Sequence, residues 1–220
     1  MPPERVAAMP DLFGAESRDV VLAEGAVLLG GFAASVEQPL LEALRALVAA
    51  APFRHMVTPG GFRMSVAMTN CGAAGWVTDR GGYRYAARDP DSGAPWPAMP
   101  KIFTELATRA AGQAGFQNFA ADACLINRYE PGARMALHRD SDELDFAAPI
   151  VSVSLGLPAT FLFGGAKPSD RPRRVKLVHG DVVVWGGPAR LAYHGVAPLA
   201  DGEHELLGRQ RINLTFRRAL

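Results

Sequence analysis

The chain has 220 residues, of which 49% are hydrophobic and 20% charged, and a formal net charge of +1. That length allows one domain with a sizeable core, and that composition excludes a disordered or fibrous chain. The near-zero charge excludes a global basic field, so any nucleic-acid partner must be held by local patches.

Residues 1–18 read as a flexible N-terminal tail, without the apolar run and cleavage pattern of a signal peptide. The apolar stretch "VVLAEGAVLLGGFAA" is broken by Glu24 and three glycines and is too short to span a bilayer. Residues 35–50 predict a helix. Ser35 caps it, Gln38 completes an S-x-x-Q box, and Leu40, Leu41, Leu44, Leu47 and Val48 form one stripe. In "FRMSVAMTN" Phe62, Met64, Val66 and Met68 alternate with polar or small residues, as in a strand. The segment "CGAAGWVTDRGGYRYAARDPDSGAPW" is long, aromatic and rich in Gly and Pro, which suits a functional lid. A second helix is expected over residues 100–111, with Ile102, Phe103, Leu106 and Ala110 inward. Short strand-like runs then follow to the end: "ACLINRYE", "PIVSVSLGLP", "TFLFGG", "RRVKLVHGDVVVWGG" and "QRINLTFRR". Helices followed by many antiparallel-type strands define an α+β chain, a β-sandwich backed by helices with a jelly roll as its form. No repeat or linker divides it, so residues 19–220 form a single domain. Two cysteines, Cys71 and Cys124, make neither a C-x-x-C nor a disulfide framework, and a reducing cytoplasm suits them.

The chemistry begins at "LHRDSDE". In extended backbone, residues i and i+2 share a side, so His138 and Asp140 can reach one metal ion while Arg139 points away. His55, His179, His194 and His204 are the candidates for a third ligand. Two histidines and one carboxylate on one face of a metal form the arrangement of non-haem Fe(II) oxygenases. In "RQRINLTFRR", Ile212, Leu214 and Phe216 form a core face, leaving Arg211, Asn213, Thr215 and Arg217 on the other. Two arginines flanking an asparagine make a clamp for a dicarboxylate, because the guanidinium fork binds carboxylates in bidentate fashion. Asn127 and Tyr129 share one side of "INRYE", a few residues before the His-x-Asp pair.

Together "ACLINRYEPGARMALHRDSDE", "PIVSVSLGLPATFLFGG", "HGDVVVWGGPARLAYHG" and "RINLTFR" closely resemble the AlkB family of Fe(II)- and 2-oxoglutarate-dependent nucleic-acid dealkylases. The likeness extends upstream through "APFRHMVTPGGFRMSVAMTNCG", "GYRY" and "PWPAMP", and covers the chain from about Pro10 onward. The resemblance implies a double-stranded β-helix core with a nucleotide-recognition lid over about 52–98. It makes His138, Asp140 and His194 the iron ligands, and Asn127, Tyr129, Arg211, Asn213 and Arg217 the 2-oxoglutarate pocket. Arg211 is then the partner of the distal carboxylate, and Arg217 approaches the carboxylate beside the 2-oxo group.

The cofactors implied are Fe(II), 2-oxoglutarate and O2. The implied reaction is oxidative demethylation of N1-methyladenine and N3-methylcytosine in single-stranded DNA, with RNA as an alternative substrate. A target base must leave its stack to meet the iron. Trp76 is the stacking partner, with the His138 ring on the other side, and Asp142 faces the exocyclic amine. Thr58, Tyr83 and Lys167 contact the strand, while Met68 and Leu125 form apolar walls. No membrane partner and a monomeric state complete the expectation. A non-catalytic reader of modified nucleic acid is the contrasting class, and it would have no use for intact ligands or clamp. One departure stands out. The family pattern carries a basic residue directly after Lys167, where this chain has Pro168, and Arg171 or Arg173 is expected to take over that phosphate contact.

Overall fold

The computed structural model describes residues 18–220; the expected tail lies outside them except for Arg18. Thirteen strands and two helices are found among the described residues: β1 (Val20–Ala23), β2 (Ala26–Leu29), α1 (Glu37–Ala50), β3 (Ala67–Gly72), β4 (Gly75–Asp79), β5 (Gly82–Ala86), α2 (Lys101–Gln113), β6 (Ala123–Tyr129), β7 (Met135–His138), β8 (Ile150–Gly156), β9 (Ala159–Phe163), β10 (Arg173–Leu177), β11 (Val182–Trp185), β12 (His194–Val196) and β13 (Arg211–Arg217). Seven form a large sheet in the order β1-β2-β11-β8-β13-β6-β3, four a small sheet in the order β10-β9-β12-β7, and β4-β5 a separate hairpin. All pairings are antiparallel. This is the jelly-roll core, backed by two helices.

The period-two pattern sorts side chains between two cores. From β13, Ile212, Leu214 and Phe216 face the helices, where Phe103 of α2 meets Phe216 edge-on at 5.8 Å. Val182 and Val184 of β11 join them, while Val183 and Trp185 face the small sheet and its Phe161 and Phe163. The polar side of β13 is therefore not solvent-facing. It is buried between the sheets.

Several expectations change in detail. A 3-10 turn, Ala34–Val36, precedes α1, so the cap position falls on Val36 and no side chain caps the helix. Gln38 donates to Glu42 at 3.4 Å in place of the expected box. Leu40, Leu41, Leu44 and Leu47 are buried as expected. β3 starts only at Ala67, and Phe62 is exposed. The reason is a turn: Thr58 N–H donates to Phe62 O across Gly60 and Gly61, so Phe62 lies on a turn's return arm. The "VVLAEGAVLLGG" stretch is an edge hairpin, β1-β2, which the sequence reading did not assign. Gly25 turns it with φ +76°, and a Cβ there would lie 2.4 Å from Gly186 O.

Within the 52–98 segment, β3 is built into the large sheet, and the β4-β5 hairpin stands apart from both sheets. Asn70 pins the hairpin's base by bonding both the N–H and the C=O of Trp76 at 3.0 Å. Cys71 and Cys124 are free, buried and directly opposed in the β3-β6 pairing. Among the described residues no helix is long and apolar enough to cross a membrane.

Candidate active site

The small sheet brings two histidines together by register. β7 ends on His138, β12 begins on His194, and the two are direct cross-strand partners with ring centroids 4.5 Å apart. In each ring Nδ1–H donates to a carbonyl two residues back, Ala136 O at 2.9 Å and Ala192 O at 3.0 Å. That fixes the tautomer and leaves both Nε2 lone pairs free for a metal. Asp140 follows β7, with Oδ1 3.6 Å from His138 Nε2 and Oδ2 3.8 Å from His194 Nε2. The three ligand atoms lie within 4.8 Å of one another, and no other such cluster occurs among the described residues.

Electrostatics match this use. Burial pushes His194 down to about 4, so the ring is neutral near pH 7, as a metal ligand must be. Burial pushes Asp140 up, but Arg217 and the two histidines more than offset it and hold the carboxyl well below its usual range. Arg217, at the end of β13, donates to Asp140 Oδ2 at 2.5 and 2.9 Å.

Behind the triad lies a pocket lined by Leu125, Asn127, Tyr129, Ser152, Arg211 and Asn213, among others. Arg211 is 1% exposed, and its guanidinium lies 5.0 Å from the Tyr129 ring centroid. Its Nη2 donates to Ser154 Oγ at 2.9 Å, whereas Nε and Nη1 have no acceptor. A buried cation with two idle donors costs stability unless a ligand supplies the oxygens, and a carboxylate has the matching geometry. The residues present therefore fit a metal and a dicarboxylate.

Asn213 departs from the simple clamp. Its amide nitrogen donates to Ser152 Oγ and Val153 O, and its oxygen accepts from Thr215 Oγ1 and from Asn127 Nδ2. It has no donor left over and acts by orienting Asn127, whose Oδ1 is buried and unpartnered. Ser152 and Ser154 were missed by sequence reasoning, and Thr215 was placed on the polar face without a role; the signal for the serines was the small polar alternation in "VSVSL".

The hairpin supplies the other side. Trp76 is half-buried, donates from Nε1 to Asp142 Oδ2 at 2.8 Å, and stacks on Tyr83 at 5.7 Å and 18°. The expected stacking residue and the expected amine acceptor are thus bonded to each other. Tyr83 is half exposed. Thr58 closes its turn by accepting from Phe62 N–H at 3.2 Å, and Thr78 of the hairpin bonds the adjacent Val57 O at 3.1 Å.

Met68 is fully buried; as the cross-strand partner of Asn127 it lies on the pocket side of the large sheet, packed in the core with Leu125 and Tyr129, while Leu125 and Met135 themselves line the pocket. Arg173 is exposed, and its Nη1 donates to Val21 O and Leu22 O, both at 2.9 Å, tying β10 to β1. Arg171 is exposed, as is Lys167, whose turn is closed by Asp170 next to the Gly164–Tyr193 contact. The remaining histidines are engaged otherwise. His55 bonds Met64 O at 2.8 Å. His179 accepts from Gly156 N–H and faces Glu37 at 2.7 Å, while His204 is half-buried and stacked on it.

A jelly roll with two histidines and one aspartate beside an arginine-floored pocket defines a non-haem iron oxygenase that uses a dicarboxylate co-substrate. The 2OG-Fe(II) oxygenase superfamily model matches residues 25–217. "Alpha-ketoglutarate-dependent dioxygenase AlkB" of Salmonella typhimurium is 56% identical over 212 residues, covering 96% of this chain and 98% of that protein. The protein of the same name from Escherichia coli K12 matches at the same identity and coverage. The solved structure of OsALKBH1 superposes with a TM-score of 0.78 at 28% identity, covering 91% of this chain and 99% of that one. The chain belongs to the AlkB family of the 2OG-Fe(II) oxygenases. It is an Fe(II)- and 2-oxoglutarate-dependent dioxygenase that consumes O2.

Proposed function

We propose that this dioxygenase demethylates N1-methyladenine and N3-methylcytosine in single-stranded DNA, as a monomer in the cytoplasm. The observation that carries the reading is the bond between an indole and a carboxylate, Trp76 of the hairpin and Asp142, the latter two residues after the cluster's Asp140. A flipped base offers a flat ring for the indole, and these two lesions are cationic, which suits Asp142. The AlkB relatives, dioxygenases over nearly their whole length, support the chemistry. The two free, buried thiols support a reducing compartment.

His138, Asp140 and His194 would hold the iron, and Arg211, Asn127 and Tyr129 the 2-oxoglutarate. When bound, iron, 2-oxoglutarate and O2 supply the oxidation of the N-methyl carbon, giving succinate, CO2 and a hydroxymethyl base that loses formaldehyde. The chain's own part is placement. The Ala136 and Ala192 carbonyls aim the imidazoles, and Arg217 keeps Asp140 ionised. Arg211 orients the co-substrate from the pocket floor. Asp142 must exchange the Trp76 N–H for the base's amine as the substrate enters. The test is formaldehyde release from a single-stranded oligonucleotide carrying N1-methyladenine, set against the duplex and the RNA of the same sequence. A preference for RNA, or turnover on neither nucleic acid, would redirect the reading.

A further inference from the structure

Glu143, the last residue of "LHRDSDE", has no part in the site as assigned, yet its side chain is only 2% exposed. It accepts two hydrogen bonds and makes an ion pair with a third group, each from a different part of the chain. Tyr85 Oη of the hairpin donates to Oε1 at 2.8 Å, Arg217 Nε of β13 approaches the same oxygen at 3.1 Å, and Arg190 Nη2 donates to Oε2 at 3.1 Å. Arg190 is itself buried and reaches the Asp140 carbonyl at 3.1 Å and the Ala148 carbonyl at 3.0 Å. Arg217 grips the Asp140 carboxylate.

Residues 139–146, which carry Asp140, form neither helix nor strand. Their one backbone–backbone bond to the rest of the described residues is Leu144 N–H to Ala219 O at 3.1 Å. A ligand-bearing loop without a ladder takes its position from side-chain clamps, and here the clamps converge on one carboxylate. The hairpin joins them by register. Trp76 and Tyr85 are direct cross-strand partners in β4-β5, and they bond the consecutive acids Asp142 and Glu143. Of these acids, Asp142 is exposed, whereas Glu143 is buried and faces Arg217.

We propose that Glu143 is a positioning residue that couples docking of the β4-β5 hairpin to the placement of Asp140, through Tyr85 on one side and Arg217 and Arg190 on the other. This rests on the reading of His138, Asp140 and His194 as metal ligands. Coupling between two sites is reciprocal. Metal on the triad must steady the hairpin, and loosening the hairpin must weaken the metal by the same factor.

The experiment uses the full chain with Co(II) as the probe, in the wild type, Tyr85→Phe and Glu143→Gln. Hydrogen–deuterium exchange of the hairpin amides is measured with and without Co(II), and Co(II) affinity is read from its visible absorption. Tyr85→Phe removes one hydroxyl and leaves both arginines on Glu143, so the variant keeps its fold. In the wild type, Co(II) slows hairpin exchange about fivefold or more. Tyr85→Phe abolishes most of that slowing and lowers Co(II) affinity by a matching factor, and Glu143→Gln lowers it further. A role in stability alone would speed hairpin exchange equally with and without Co(II) and leave the affinity and the absorption bands of Tyr85→Phe unchanged; that result would overturn the coupling. A wild type that does not bind Co(II) would overturn the metal-site reading and the coupling with it.

Discussion

Arg211 and Asp142 show what single residues contribute. Arg211 is buried with two nitrogen donors unpartnered, so its partner is missing from the protein itself. Arg211→Ala removes a charge-assisted pair of about 1.5–3 kcal/mol, which raises the 2-oxoglutarate requirement roughly 10- to 150-fold. Titration of co-substrate against turnover checks this; an unchanged requirement would move the clamp elsewhere. Asp142→Ala should lower repair of the cationic N1-methyladenine and N3-methylcytosine more than repair of the neutral N3-methylthymine, since thymine offers neither the charge nor the amine. Equal losses on all three lesions would mean that Asp142 only holds the Trp76 indole. His-x-Asp and Arg-x-Asn were legible because their spacing is local. Glu143 was not, because its donors come from residues 58, 47 and 74 positions away. The saturation of Asn213 was hidden for the same reason, three of its four partner groups lying on β8 and β6.

At the scale of elements, the alternation in β13 did most to reveal the fold, because one strand borders both cores. Its apolar face rests on α2, where Phe103 is fully buried against Phe216. Phe103→Ala should cost about 3–5 kcal/mol. Thermal unfolding of the metal-free chain would show it, and a loss under about 1 kcal/mol would contradict this packing. The β1-β2 hairpin escaped because its four-residue runs read as one broken apolar segment, although Glu24-Gly25 is a turn signal between them. The strand expected from Phe62 failed because a turn through Gly60 and Gly61 overrode the alternation. Arg173 sat in a charge run that a solvated hairpin or a phosphate site would equally explain, and only the structure shows it bonded to β1.

Over the whole molecule, a net charge of +1 gives no long-range pull on nucleic acid, so recognition rests on the hairpin and the mouth of the site. The small sheet carries the two histidine ligands, the large sheet carries Asn127, Tyr129, Arg211 and Asn213 of the pocket, and the hairpin bonds the acids that follow Asp140. The oxidation is therefore coupled to the base only if cofactor loss and methyl loss run together. The most direct measurement is the ratio of succinate to formaldehyde released from a single-stranded N1-methyladenine oligonucleotide with Fe(II), 2-oxoglutarate and O2, in the wild type and in His138→Ala, Asp140→Ala and His194→Ala. The account predicts one formaldehyde per succinate with the base restored in the wild type, and neither product in any of the three variants. Succinate without formaldehyde in the wild type, or near-normal formaldehyde release from a variant lacking one ligand, would contradict it.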